Sequence, residues 1–436
     1  MDELFDLPPT EPNPIRPEGR GRPRLQRPQR DQITLRPTDL ESLLPADHRA
    51  RLVWAFVEGL DLDPLYTRIR AVAGHAGRPP IDPAILVALW LYATLEGVGS
   101  ARALDRLCAE HDAYRWLCGG VPVNYHTLAD FRVDHEAVLD RLLTESVAAL
   151  IAGGQVTLTR VAQDGIRVRA AAGSGSFHRR DSLTRALAEA ETQVAALRAE
   201  LDDDPGATSR RVAAARERAA AERAARVRRA LDQLAELERR TRAPGRPART
   251  STTDPEARVM KLADGGFRPA YNGQFATDTA SQIIVGVELT NGHERDQLGP
   301  MVDQLEARYG RAPAEYLVDG GYVNHTEIER LSAGGMTIYL PVQPARRAGH
   351  DPHQPHPGDR PGVIAWRARM ASEQARRIYR ERAASAECVN ALARNRGLQR
   401  FTVRGQPRAR AVLLWYALAH NLLRAVSLRA IAVPGS

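Results

Sequence analysis

From residue 35 to about residue 150, apolar residues recur every three or four positions, the spacing of one buried helix face. LRPTDLESLL opens with a Thr/Asp cap signal, and RARLVWAFVEGL continues at helical spacing. In GRPPIDPAILVALWLYATLEG, Pro83 stands near a helix start, where its missing N–H costs little. ARALDRLCAEHDAYRWLCGG carries Leu104, Leu107, Tyr114 and Leu117 at helical intervals, and VNYHTLADFRVDHEAVLDRLL closes the block. In that last segment, His126, Thr127 and Arg132 are open to either DNA contact or a buried or capping role. Residues 155–170 then alternate with a period of two and predict a strand pair around Asp164-Gly165.

The pattern changes again beyond residue 180. Leu183, Leu187, Ala190, Val194, Leu197 and Leu201 keep a/d spacing. After the break DDDPGATS, residues 209–242 read as an Arg/Ala/Glu-rich helix with Val227, Leu231, Leu234 and Leu237 near its end. The two predict a helical hairpin inserted at about residues 180–245. Its arginines are either a DNA-touching surface or a solvated charged face. GFRPAYNGQFATD and SQIIVGVELT predict a β-hairpin. An amphipathic helix (DQLGPMVDQLEARYG), a strand (YLVDGG), a helix (HTEIERLSAGG) and a strand (MTIYLPV) follow. Residues 343–360 read as a loop with solvated histidines, 363–396 as one or two helices and 408–431 as a final helix.

Composition narrows the function classes. Lys plus Arg is 61 against 53 for Asp plus Glu, giving a net charge of +8. The excess suits a polyanionic partner, and Lys261 is the one lysine in it. Cys108, Cys118 and Cys388 form no CxxC pair, which argues against a disulfide framework or a zinc knuckle and points to a reducing cytoplasm. MDELFDLPPTEP lacks the regions of a signal peptide. AILVALWLYA and AVLLWYALAH fall short of the roughly 20 residues of a membrane span. Residues 1–30, rich in Pro and Arg, predict a disordered basic tail. Within it Arg20, Arg22 and Arg24 resemble an AT-hook core, an extended peptide suited to a narrow minor groove.

Three carboxylates carry the candidate chemistry. Asp164 and Asp319 end alternating runs and are each followed by glycine, which leaves room near the backbone. Glu387 lies in the helical stretch YRERAASAECVNALARNRG. Hard divalent cations prefer such oxygen ligands, and a pair of them drives in-line displacement at phosphorus. At about 100° per residue, Tyr379, Arg382, Glu387 and Arg394 share an arc of about 140° on one helix. Their alternative reading is a surface helix with ordinary ion pairs. The order of strands and helices after residue 155 follows a ribonuclease-H-like α/β pattern interrupted by the hairpin.

These segments resemble insertion-sequence transposases of the DDE type, in the branch whose glutamate helix reads Tyr-x2-Arg, then Glu, then x6-Lys/Arg. The matching residues are Tyr379, Arg382, Glu387 and Arg394, with four residues between Arg382 and Glu387 where the commonest form has three. GRPPIDP and YHTLADFR are similar to the family's N-terminal helical domain. DGIRVRA, STTDPEARVMK, AYNGQ, YLVDGGY, GLQRFTVRG and ALAHNL are similar to its catalytic domain. The resemblance spans about residues 35–428.

The resemblance implies a basic tail over 1–30, a helical DNA-binding domain over 31–152 and a DDE catalytic domain over 153–431. It implies two Mg²⁺ or Mn²⁺ ions on Asp164, Asp319 and Glu387, serving DNA end cleavage and then strand transfer. Arg382 and Arg394 would meet DNA phosphates, and Tyr379 a base or sugar. Asn272 and Gln274 would orient the carboxylates or simply build the hairpin, and His420-Asn421 would cap or pack the final helix. The implied partners are terminal inverted repeats and target DNA, bound by a homodimer in the bacterial cytoplasm, with no membrane. Two rivals stay open at this point: a DNA-binding regulator with a silent site, and a nuclease without strand transfer.

Overall fold

The computed structural model describes residues 39–71, 79–203, 207–240, 247–344 and 351–432. The expected tail of residues 1–30, with Arg20, Arg22 and Arg24, lies outside them. Among the described residues, seven α-helices precede the first strand: α1 (Arg49–Glu58), α2 (Asp63–Tyr66), α3 (Pro83–Leu95), α4 (Ala101–Glu110), α5 (Asp112–Cys118), α6 (Tyr125–Asp134) and α7 (Glu136–Ala152). Pro83 is the first residue of α3, and the Asp82 carboxylate caps it by accepting from the Ala84 N–H at 2.8 Å. Because α3 is apolar all round it is buried from Ile85 to Leu95. The helix expected over ARALDRLCAEHDAYRWLCGG is two helices. His111 is extended, ends α4, and its ring accepts from the Ala113 N–H to start α5.

The strand pair expected around Asp164-Gly165 is instead one continuous strand, β1 (Arg160–Arg169). Gly165 is not a turn residue. It sits opposite Gln274, where a Cβ would stand 2.7 Å from Asn272 Oδ1 and 2.8 Å from Gln274 Nε2. β2 (Phe177–His178), α8 (Arg180–Asp203), α9 (Ala207–Arg240) and β3 (Thr250–Ser251) follow. β2 pairs with β3 at the base of the α8–α9 hairpin, over a small core of Leu183, Val227, Ala230 and Leu234.

The main sheet is completed by β4 (Arg258–Lys261), β5 (Phe267–Asp278), β6 (Ile284–Thr290), β7 (Glu315–Leu317) and β8 (Thr337–Tyr339). β4 and β6 share one edge of the long β5; β1, β7 and β8 continue from its other edge. β5 is antiparallel to its neighbours, whereas β1, β7 and β8 run parallel. Helix α10 (Leu298–Tyr309) covers one face, with Met301 and Leu305 against Gly286. The other face receives the last helix, with Leu413 against Gly273. α11 (His325–Ala333), α12 (Pro361–Ala371), α13 (Glu373–Tyr379), α14 (Cys388–Asn395) and α15 (Gln406–Ala432) complete the described chain. His353 and His356, expected to be solvated, are half-buried. The His353 ring is 3.2 Å from the Arg367 carbonyl, and the His356 N–H donates to Asp359.

α15 is long and apolar enough to pass for a membrane span, yet two-thirds of that stretch is buried inside the protein. One core runs from Leu44 to Leu422, without a break at residue 152. Trp415 Nε1 donates to the Arg132 carbonyl (3.0 Å), and Arg410 joins Glu136 and Asp140 of α7 to Glu288 of β6.

His420 and Asn421 do not cap α15. They reach from its middle to the β5–β6 turn. Asn421 accepts from the Ile284 N–H and donates to the Ile284 carbonyl, both at 2.8 Å. His420 Nε2–H donates to the carbonyl of Gln282, whose φ is 59°. Burial lowers the His420 pKa from 6.5 to about 4, so the folded state holds the ring neutral. That contribution to stability is complete above the unfolded pKa and is lost as pH falls from there through the folded one. Between pH 7 and pH 5 this ring is expected to remove about 2 kcal/mol of stability. Urea unfolding should show a shallower pH dependence over that interval in His420→Gln. An identical dependence in both proteins would refute the assignment.

Candidate active site

The parallel pairing of β1 with β7 ends with Ala162 opposite Leu317. Asp164 lies two residues further along β1 and Asp319 two residues beyond the end of β7, near enough for the charge of Asp319 to act on Asp164. Asp319 leaves β7 to cap the short turn Gly320–Tyr322, with Oδ1 accepting from the Gly321 N–H at 2.7 Å. Asp164 is mostly buried, and Asn390 Nδ2 donates to its Oδ2 at 2.9 Å. Burial pushes the Asp164 pKa up, and the charge of Asp319 adds to that; Arg382 and Asn390 pull the other way. The net direction is upward because burial outweighs the neighbouring donors.

The helix expected to carry Tyr379, Arg382, Glu387 and Arg394 along one face is not a single α-helix. α13 ends at Tyr379, residues Ala383–Glu387 form a π turn, and α14 begins at Cys388. A π turn brings residues i and i+5 together. It absorbs the extra residue between Arg382 and Glu387 and lets their side chains form an ion pair. The second anchor of this segment is Glu381, which binds Arg160 at 2.6 Å. Arg160 also binds Glu315 at 2.5 Å, so the starts of β1 and β7 hold the π turn in register.

Arg382 is the hub. Its Nη1 lies 3.2 Å from Asp164 Oδ1, its Nη2 pairs with Glu387, and its Cζ is 5.8 Å from the centre of the Tyr379 ring. Burial alone would lower its pKa, but Tyr379, Asp164, Glu387 and Asp319 outweigh burial and hold it raised. The structure therefore brings together Asp164, Asp319, Glu387, Arg382 and Tyr379. Arg394 is not with them: it is exposed on α14 and makes no ion pair or hydrogen bond among the described residues. Asn124 caps α6, its Oδ1 accepting from the Thr127 N–H at 3.0 Å. Arg132 is buried, donates to the Gly99 carbonyl at 2.6 Å and lies 4.7 Å from the Trp90 ring.

Two further polar residues surround the carboxylates. Asn390, one turn beyond Glu387, is buried, and its Oδ1 has no hydrogen-bond partner. Its place on the same helix face was findable from helical spacing. Glu294 was not, because it lies in a polar turn, NGHERDQ, with no periodicity. Its Oε1 is 3.2 Å from where a Cβ at Gly165 would stand, and its Oε2 is 2.5 Å from the equivalent point at Gly321. Arg167 (3.2 Å) and Asn272 (3.4 Å) donate to it. Beneath, Gln163 Nε2 donates to Gln274 Oε1 at 2.9 Å, Tyr322 also donates to Gln274, and Tyr316 donates to Gln163 Oε1 at 2.9 Å. The Tyr322 phenol is pushed well up by burial and by the charges of Asp164, Glu294 and Asp319.

Among the described residues, no three Asp, Glu, His or Cys side chains stand close enough to hold a metal ion. The guanidinium of Arg382 lies between Asp164 and Glu387 and compensates their charge. The donor chemistry still suits a hard divalent cation. Asp164 on β1 and Asp319 just beyond β7 offer carboxylate oxygens, and Asn390, which donates to Asp164, keeps an Oδ1 that has no partner among the described residues.

Two family descriptions match this chain. Transposase domain (DUF772) matches residues 38–134, and Transposase DDE domain matches residues 244–422. The second includes Asp319 and Glu387, whereas Asp164 and the α8–α9 hairpin fall between the two. No curated protein and no solved structure matches the chain.

Proposed function

The chain belongs to the insertion-sequence DDE transposases, proteins of DNA transposition, and from that premise we propose that it cuts transposon ends and joins them to target DNA. One observation carries this reading. Asp164 lies on β1, Asp319 lies just beyond its parallel neighbour β7 and near enough for its charge to act on Asp164, and Glu387 is joined to Asp164 through one guanidinium. The strand order β6–β5–β1–β7–β8, with its last three strands parallel, supports a ribonuclease-H-like reading of the sheet. The proposed organisation keeps residues 31–152 for recognising terminal inverted repeats and 153–431 for catalysis, with two protomers holding two ends.

Asp164, Asp319 and Glu387 would hold two Mg²⁺ or Mn²⁺ ions. When bound, such ions supply Lewis-acid activation of an attacking hydroxyl and stabilise a leaving 3′-oxygen. The chain's own residues prepare that site. Asn390 fixes the rotamer of Asp164 through one hydrogen bond. Gln274, held from two sides by Gln163 and Tyr322, keeps the β5 strand against Gly165. Arg382 balances the carboxylates, and its release towards a DNA phosphate would free Asp164 and Glu387 together. Tyr379, half-buried beside Arg382, would meet the DNA end next to the cut.

The test is to mix the protein with labelled repeat-end duplex, a target plasmid and Mg²⁺. Joined product is expected. Cleavage without joining would replace the reading by a nuclease, and binding without either would leave a regulator. Arg394, exposed on α14 and without a side-chain partner among the described residues, would contact phosphate. Arg394→Ala should reduce the salt slope of DNA binding by about one unit, and an unchanged slope would make Arg394 a plain surface residue.

A further inference from the structure

The α8–α9 hairpin lies outside both matched regions, and two sets of its arginines differ in their surroundings. Arg180, Arg198 and Arg228 are paired with Glu238, Glu217 and Glu191. Arg223, Arg226 and Arg229 face the base of the arm, where it meets the loops of residues 252–256 and 404–408. A groove of about 490 Å³ opens there, lined by Arg223, Arg226, Arg404, His178, Thr252 and Thr253, and among the described residues no carboxylate lines it. Arg226, Thr253 and Arg404 also border a second groove of about 780 Å³, which adds Arg229 and Arg408 together with several acidic residues. Arg223, Arg229, Arg404 and Arg408 make no hydrogen bond or ion pair among the described residues, and Arg226 has Glu222 only at 3.8 Å.

Arg404 also acts on Asp254, whose pKa it pulls down, but Arg223 has no side-chain partner among the described residues and Arg226 only a distant one, so the groove they line carries positive charge that favours an anion. The two loops beside the groove are tied together. Asp254 accepts from the Tyr271 hydroxyl at 2.6 Å and from the Gly405 N–H at 3.2 Å, and Glu256 accepts from the Gln406 N–H at 2.5 Å. The two loops that present Thr252, Thr253 and Arg404 are therefore fastened to one another. Three guanidinium groups beside two hydroxyls match the oxygens of successive phosphodiesters, which Arg binds bidentately.

We propose that this groove, at the junction of the α8–α9 arm and the catalytic sheet, grips the phosphodiester backbone of duplex DNA away from the carboxylate site. The proposal deepens the transposase reading and rests on it for the choice of duplex DNA. It assigns the inserted arm a grip on DNA instead of a merely solvated face.

The experiment compares full-length wild type, R223A/R226A/R404A, the loop variant Arg404→Ala and the control R180A/R198A/R228A. Binding to a labelled duplex of about 40 base pairs is followed by fluorescence anisotropy across salt concentrations. The groove triple is expected to lose about two to three units of salt slope and at least tenfold in affinity, and Arg404→Ala about one unit. The control should stay within about threefold of wild type. A groove triple that keeps wild-type slope and affinity overturns the proposal. So does a result in which inorganic phosphate binds wild type but not the triple while duplex binding is equal in both, since the groove would then take small anions. End joining is scored separately in wild type. Failure to join while the triple still loses DNA removes the transposase reading and leaves the groove; normal joining with an unaffected triple does the reverse.

Discussion

Asp164→Asn is expected to abolish strand cutting, by at least about 10³-fold, while leaving duplex affinity within about twofold. The substitution keeps the shape of a side chain packed against Asn390 and leaves Arg382 its partner Glu387. What it removes is one negative charge from the cluster that would hold the ions. A Lewis-acid contribution of several kcal/mol corresponds to that factor at about 1.4 kcal/mol per tenfold. Glu387→Gln should behave alike, and the double variant should be scarcely worse than either single one, because groups that act as one unit do not add. Metal-dependent nicking of end DNA, with anisotropy in chelator for binding, measures both halves. Cutting by Asp164→Asn within tenfold of wild type would remove β1 from the active site.

Asn421→Ala is expected to cost about 4 kcal/mol in stability, the largest folding effect of the substitutions considered. Asn421 meets both the N–H and the carbonyl of Ile284, and both residues are buried. Alanine leaves two backbone groups without water or protein partners, at about 1–3 kcal/mol each. Urea unfolding followed by circular dichroism reports the loss. A change under about 1 kcal/mol would mean that the β5–β6 turn finds other partners. Asn421→Asp keeps the acceptor for the Ile284 N–H and loses the donor, so it should fall between wild type and alanine.

The sequence announced its strongest periodicities faithfully. α3, α10, the α8–α9 hairpin and the β5–β6 pair all follow from spacing and turn residues, because local pattern and tertiary burial agree there. It misled where one residue type serves two purposes. Asp164-Gly165 carries the signature of a tight turn, yet Gly165 is in mid-strand because the neighbouring Asn272 and Gln274 side chains leave no room for a Cβ. The Arg382–Glu387 stretch looked like regular helix because a π turn has no composition of its own. Only the odd spacing hinted at it. Asp319 was legible as an acid just past a strand, but Asp164, expected at a strand end, lies in the middle of β1, and its approach to Asp319 depends on the β1–β7 pairing, which no local pattern encodes. Glu294 was silent for a similar reason: a polar turn becomes part of a site only once folding brings Gly165 and Gly321 to it. His420-Asn421 was read as belonging to its own helix, whereas its partners lie about 140 positions earlier.

The final helix has an evolutionary corollary. Trp415 is fastened to the backbone at Arg132, and Arg410 gathers two acids of α7 and one of β6. The opening helices are thus married to a segment nearly 300 residues downstream rather than carried as a detachable cassette. Recombinants between relatives that inherit those helices from one parent would have to inherit α15 from the same parent.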